Sequence, residues 1–175
     1  MQRIDSRRAR AMVATSLVLL TAACGSSTEP GERPGTASVT ATGAVSTSGG
    51  GVAFFQSASS GATSLFQILL APTGVSTTTA GEVQVVNYSG RLAVGTYPLL
   101  PLSASSTSPT ASFYYTTGGS MAMYNATSGE LVITASSPSA VRGTFHFTAA
   151  NVGGVGTVTA DGAFNASCAP GMACQ

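Results

Sequence analysis

The sequence predicts an all-β protein, an antiparallel β-sandwich or small β-barrel of about eight or nine strands. Three observations predict it. Charged residues make up only 7% of the chain, while Thr, Val, Phe and Tyr, which lose rotamer freedom in a helix but pack well on a pleated sheet, are abundant. The segment Val141 to Ala149, "VRGTFHFTA", puts Val141, Gly143, Phe145, Phe147 and Ala149 on one face. Arg142, Thr144, His146 and Thr148 fall on the other, the period of two expected of a strand with one buried side. Short apolar segments recur between runs of Gly, Pro, Ser and Thr, and no long helical period is visible after residue 35.

Taken in order, residues 36 to 47, "TASVTATGAVST", alternate weakly and supply a first strand. Val52 to Gln56 follows, then Ser64 to Ala71, "SLFQILLA", whose length and flanks favour a strand over a short buried helix. Glu82 to Tyr88 and Ser112 to Thr116 are short and bounded by turn-formers. Glu130 to Ala135 alternates Leu131, Ile133 and Ala135 against Glu130, Val132 and Thr134, and "SSPSA" should turn it back antiparallel onto Val141 to Ala149. In "TVTADGAFNA", Asp161-Gly162 reads either as a tight hairpin turn or as a bulge in one longer strand. Residues 36 to 175, roughly 140 in all, suit one domain with a single core.

The first residues have a different character. Arg3, Arg7, Arg8 and Arg10 precede the apolar run "AMVATSLVLL", residues 11 to 20, which is shorter than the roughly 20 residues of a membrane-spanning helix. A basic start, a short apolar centre and small residues before a cut make a secretory signal of residues 1 to 23. At the cut, "LTAAC" resembles the lipobox of bacterial lipoproteins, which implies that Cys24 is lipidated and becomes the new N-terminus. Leu20 stands four residues before the cysteine and Thr21 three before, where the lipobox usually has Leu. The alternative is an ordinary secretory cut that leaves Cys24 as a thiol. Acyl chains on one residue would anchor the protein to a membrane without spanning it. Gly25, in place of an aspartate, favours the outer membrane by analogy. Residues 24 to 35 hold no residue fit for a core and read as a lipidated cysteine with a flexible linker.

After the signal, Arg33, Arg91 and Arg142 stand against Glu29, Glu32, Glu82, Glu130 and Asp161, three cations against five anions, a net charge of −2. Without a lysine and with so few arginines the domain is unsuited to binding nucleic acid. If Cys24 carries lipid, Cys168 and Cys174 remain as an even pair around the Pro170-Gly171 turn, and export favours a disulfide between them. No metal, phosphate or dinucleotide motif is present, and no cofactor is expected.

The order of "GTYPL" (95–99), "SFYY" (112–115), "SGELVITASS" (128–137), "VRGTFHFTA" (141–149) and "VTADGAF" (158–164) resembles a family of exported bacterial lipoproteins of unknown function. The resemblance covers roughly residues 36 to 166 and implies a small β domain at the cell envelope, with no functional residues to carry over.

Chemistry is sparse. A hydrolase would have to use His146, the chain's one histidine, as its base. Glu82, Glu130 and Asp161 are far apart in sequence. The residues best suited to contact a carbohydrate, peptide or envelope protein are Tyr114, Tyr115 and Tyr124, with an apolar ring and a polar tip. The reading is therefore a non-enzymatic, lipid-anchored binding or structural module. The alternative is a small barrel carrying an apolar ligand inside.

Overall fold

The computed structural model describes residues 34–60, 63–72, 79–102, 107–172 and 174. The proposed signal, Cys24 and most of the linker lie outside them. Nine strands follow one another: β1 (Gly35–Gly43), β2 (Thr47–Ser60), β3 (Thr63–Pro72), β4 (Thr79–Asn87), β5 (Gly95–Pro98), β6 (Thr110–Thr117), β7 (Ser120–Ser137), β8 (Ala140–Asn151) and β9 (Thr157–Cys168). There is no helix among the described residues.

Eight of the strands form a closed antiparallel barrel, which decides between sandwich and barrel. β1 to β4 and β6 to β9 each pair with the next, and β9 returns to pair with β1 along Thr36–Gly43, so the sheet has no free lateral edge. The short β5 lies outside this cycle. It extends the line of β6 along β7, pairing Gly95 with Ile133 and Pro98 with Glu130. At the end where β1 begins and β9 finishes, here the lower end, β2 and β9 meet directly in a parallel step, Phe54 opposite Ser167. The β1–β2, β6–β7 and β8–β9 turns lie at the upper end.

Alternation puts apolar side chains inside. Phe55, Phe66, Phe113, Phe147, Ile68, Leu70, Leu131, Ile133, Val83, Val85 and Val141 are buried almost completely. An apolar interior is the reverse of the polar-in, apolar-out alternation of a membrane-spanning barrel. The β8 pattern holds residue by residue: Val141, Gly143, Phe145, Phe147 and Ala149 are buried, with Arg142, Thr144 and His146 exposed. β8 also pairs with β7 through the turn between Ser137 and Ala140, as "SSPSA" predicts.

Asp161-Gly162 is neither turn nor bulge. β9 runs straight through it with unbroken register against both β8 and β1. Gly162 faces inward opposite Phe145, and a Cβ there would lie 2.4 Å from the Phe145 ring and 2.2 Å from the Ser38 carbonyl oxygen. One step along, Gly143 faces Phe164, and a Cβ on it would come 2.9 Å from that ring. Each glycine is a seat for the ring across from it. The alternation of nothing and a large ring fits six-membered rings into the narrow bore of a small barrel. Phe145 and Phe147 complete the layer with centroids 5.8 Å apart.

The lower end is plugged. The connection from β4 to β5 crosses it, carrying buried Leu92, and Leu99 is buried just beyond β5. The Arg91 guanidinium lies 4.9 Å from the centroid of Phe55 and donates to Ser136 Oγ (3.1 Å), to the Ser137 carbonyl and to the Cys174 carbonyl (2.7 Å). Burial lowers its pKa, and its cationic form is held by these acceptors and the ring.

Candidate functional site

Two places on the outer wall carry chemistry. The first is a groove beside the C-terminal loop. On β2 and β3 the outward side chains are also partly apolar: Phe54 pairs with Leu69, and Gln56 pairs with Gln67 through a side-chain hydrogen bond of 2.7 Å. Cys168 and Cys174 form a disulfide, closing a loop whose Ala169 amide donates to the Phe55 carbonyl (2.8 Å). The loop's own turn is fixed by Met172 N–H donating to the Ala169 carbonyl (3.0 Å). Pro170 and Met172 thus overhang Phe54 and Leu69, enclosing a groove of about 250 Å³. That volume is below the roughly 300–1,000 Å³ of small-molecule sites, so the groove suits one apolar side chain or a length of alkyl tail. Cys174 is buried and ties the loop to the core.

The second place is a row of ionisable groups. Glu130, His146 and Asp161 are cross-strand partners on β7, β8 and β9. His146 Nδ1 lies 2.5 Å from Asp161 Oδ1, with the two side chains 62% and 55% exposed. Folding therefore joins three residues that lie far apart in sequence. The arrangement supplies the orienting half of a His–acid pair. The strands on either side use the backbone N–H groups of β8 and β9 in their ladders, so these are not free to serve an oxyanion, and the pair stands open to water. Among the described residues no group of three His, Cys, Asp or Glu side chains has the arrangement of a metal site.

No family model, no curated protein and no solved structure matches the chain. Function must be read from the geometry.

The three candidate tyrosines do not make one surface. Tyr124 is buried against Phe113, ring centroids 6.1 Å apart, and Tyr115 stacks on the same Phe113 at 6.4 Å from within the barrel. Tyr114 points outward and donates to Gln84 Oε1 (3.1 Å). Alternation along β6 separates Tyr114 from Tyr115, and the Phe113–Tyr124 register draws Tyr124 inward. Sequence reasoning missed the groove. Its signal was the unbroken apolar runs "VAFF" and "ILLA", which put apolar residues on both faces of a strand rather than one.

Glu82, half-buried on β4, has its pKa raised by desolvation. A raised folded-state pKa means that stability is lost as pH climbs above the unfolded value of 4.5. Glu82→Gln should therefore raise the thermal midpoint at pH 7 by about 2 °C. The gain should vanish below pH 4.5, where the glutamate is protonated in both states. A differential-scanning series across that range checks it, and a gain that persists at low pH would contradict the desolvation argument.

Proposed function

We propose that the chain is a lipid-anchored β-barrel module of the bacterial cell envelope, a non-enzymatic binding or structural protein held at a membrane through Cys24. It would be exported under residues 1 to 23 and belong with the envelope lipoproteins whose motif order it resembles, with Gly25 favouring the outer membrane. The observation that carries the reading is the placing of the apolar groove. It opens outward, beside the start of β1, where the chain from Cys24 reaches the barrel. Its contacts would be with an envelope protein, a peptide or a carbohydrate chain, or with the membrane itself.

The filled interior weighs against a carrier of apolar ligands, since Phe55, Phe66, Phe113 and Phe147 occupy the bore. The open setting of His146 weighs against a hydrolase. The test is the mass of the full-length product extracted from its own membrane. The expected species begins at Cys24, carries two or three acyl chains, and gains two hydrogens on reduction. A chain that begins at another residue, or begins at Cys24 without lipid, would overturn the anchor.

A further inference from the structure

Where the chain enters the barrel is fixed by hydrogen bonds. The Gly35 amide donates to Ser167 Oγ (3.0 Å), and Gly35 lies between Ala53 on β2 and the end of β9. Directly below it β2 and β9 pair with each other, so the preceding residue, Pro34, is displaced onto the outer surface. The groove of Phe54, Leu69 and Met172 lies on the β2 side of this point. On the β9 side Pro34 borders a shallow depression with Arg142, whose guanidinium donates to Asn165 Oδ1 (3.0 Å) and is otherwise exposed.

Charge follows the same axis. Both described arginines belong to the lower end, Arg91 across it and Arg142 at the start of β8. The described carboxylates Glu82, Glu130 and Asp161 lie further up the wall, within β4, β7 and β9. Exposed apolar side chains lie at both ends, Met172, Tyr88 and Val94 below and Met121, Val152 and Val155 above, so what sets the lower end apart is that it joins them to the groove and to arginine.

From these features we infer that the lower end of the barrel docks on an anionic membrane surface, with Met172 and the groove walls entering the headgroup boundary and Arg142 facing the phosphates. The inference rests on the proposed anchor at Cys24. Nine residues separate Cys24 from Pro34, a reach of at most about 35 Å, so an anchored bilayer cannot be far from the groove. A tether this short holds the two surfaces at an effective concentration in the millimolar range, so a small apolar contact with one basic neighbour suffices. Interfacial binding of this kind draws on buried apolar area and on attraction to anionic lipids, and this end supplies both.

The sequence contains no tryptophan, so Met172→Trp and Val155→Trp each carry a single reporter, the second at the opposite end and 97% exposed in the parent. Each full-length protein, its mass determined, is placed in phosphatidylethanolamine–phosphatidylglycerol vesicles with brominated acyl chains. Bromine should quench the Met172→Trp reporter at least about threefold more strongly than the Val155→Trp reporter. Adding Arg142→Gln should lower the docking equilibrium about fivefold, with most of that excess lost. Equal quenching of both reporters on protein whose mass shows acylated Cys24 would overturn the docking and leave the anchor standing. If the mass shows no lipid, the anchor fails. The same quenching with added vesicles then decides the docking alone: an excess at the Met172→Trp reporter sustains it, and no excess overturns it.

Discussion

Replacing Gly162 by alanine is expected to lower the stability of the barrel by about 3 kcal/mol. That is a large share of the 5–15 kcal/mol typical of a domain. The new methyl would sit 2.2 Å from the Ser38 carbonyl oxygen and 2.4 Å from the Phe145 ring. The ring could turn aside, but the carbonyl belongs to β1, and moving it opens the β1–β9 seam that closes the barrel. Ala163→Ser, at the exposed neighbouring position, should change stability by no more than about 0.5 kcal/mol. Urea titration of both variants checks the contrast. Equal midpoints would mean that Gly162 is not a seat for Phe145 and that the packing of the β8–β9 layer is misread.

The second large effect belongs to the disulfide. Removing both cysteines as Cys168→Ala and Cys174→Ala should cost about 2 kcal/mol from the lost loop constraint alone. It should also loosen the loop that roofs the groove, because Ala169, Met172 and the Cys174 carbonyl are held in one short closed segment. Reductant should bring the parent protein down to the variant's urea midpoint and leave the variant unmoved. A parent indifferent to reductant would show that Arg91 and the buried neighbours of Cys174 hold the loop without the covalent link.

Much of this architecture is written in local patterns, and the failures have identifiable causes. "VRGTFHFTA" and "ELVITA" alternate because one face of each strand is buried, so β8 and the second half of β7 are legible directly. The start of β2, "TSGGG", reads as loop because small residues suffice where only backbone ladders are needed, and in the first half of β7, "SMAMYNATSG", a register shift between Ala126 and Ser128 interrupts the alternation. Asp161-Gly162 was misleading because glycine signals a turn to local reasoning, whereas here it answers a phenylalanine on another strand. Long-range register is also what brings Glu130, His146 and Asp161 into line and what sets Tyr124 against Phe113. Neither spacing nor composition encodes such meetings across strands.

The closing of the barrel by its first strand has a mechanical meaning. β1 is gripped on both sides, by seven registered pairs with β2 and eight with β9, and the chain leaves it at its lower tip. A pull on the chain at Gly35 therefore runs along the strand and loads both ladders in shear, so that many hydrogen bonds must yield at once instead of unzipping in turn. A barrel loaded through such a strand can bear tension while the rest of its wall stays folded.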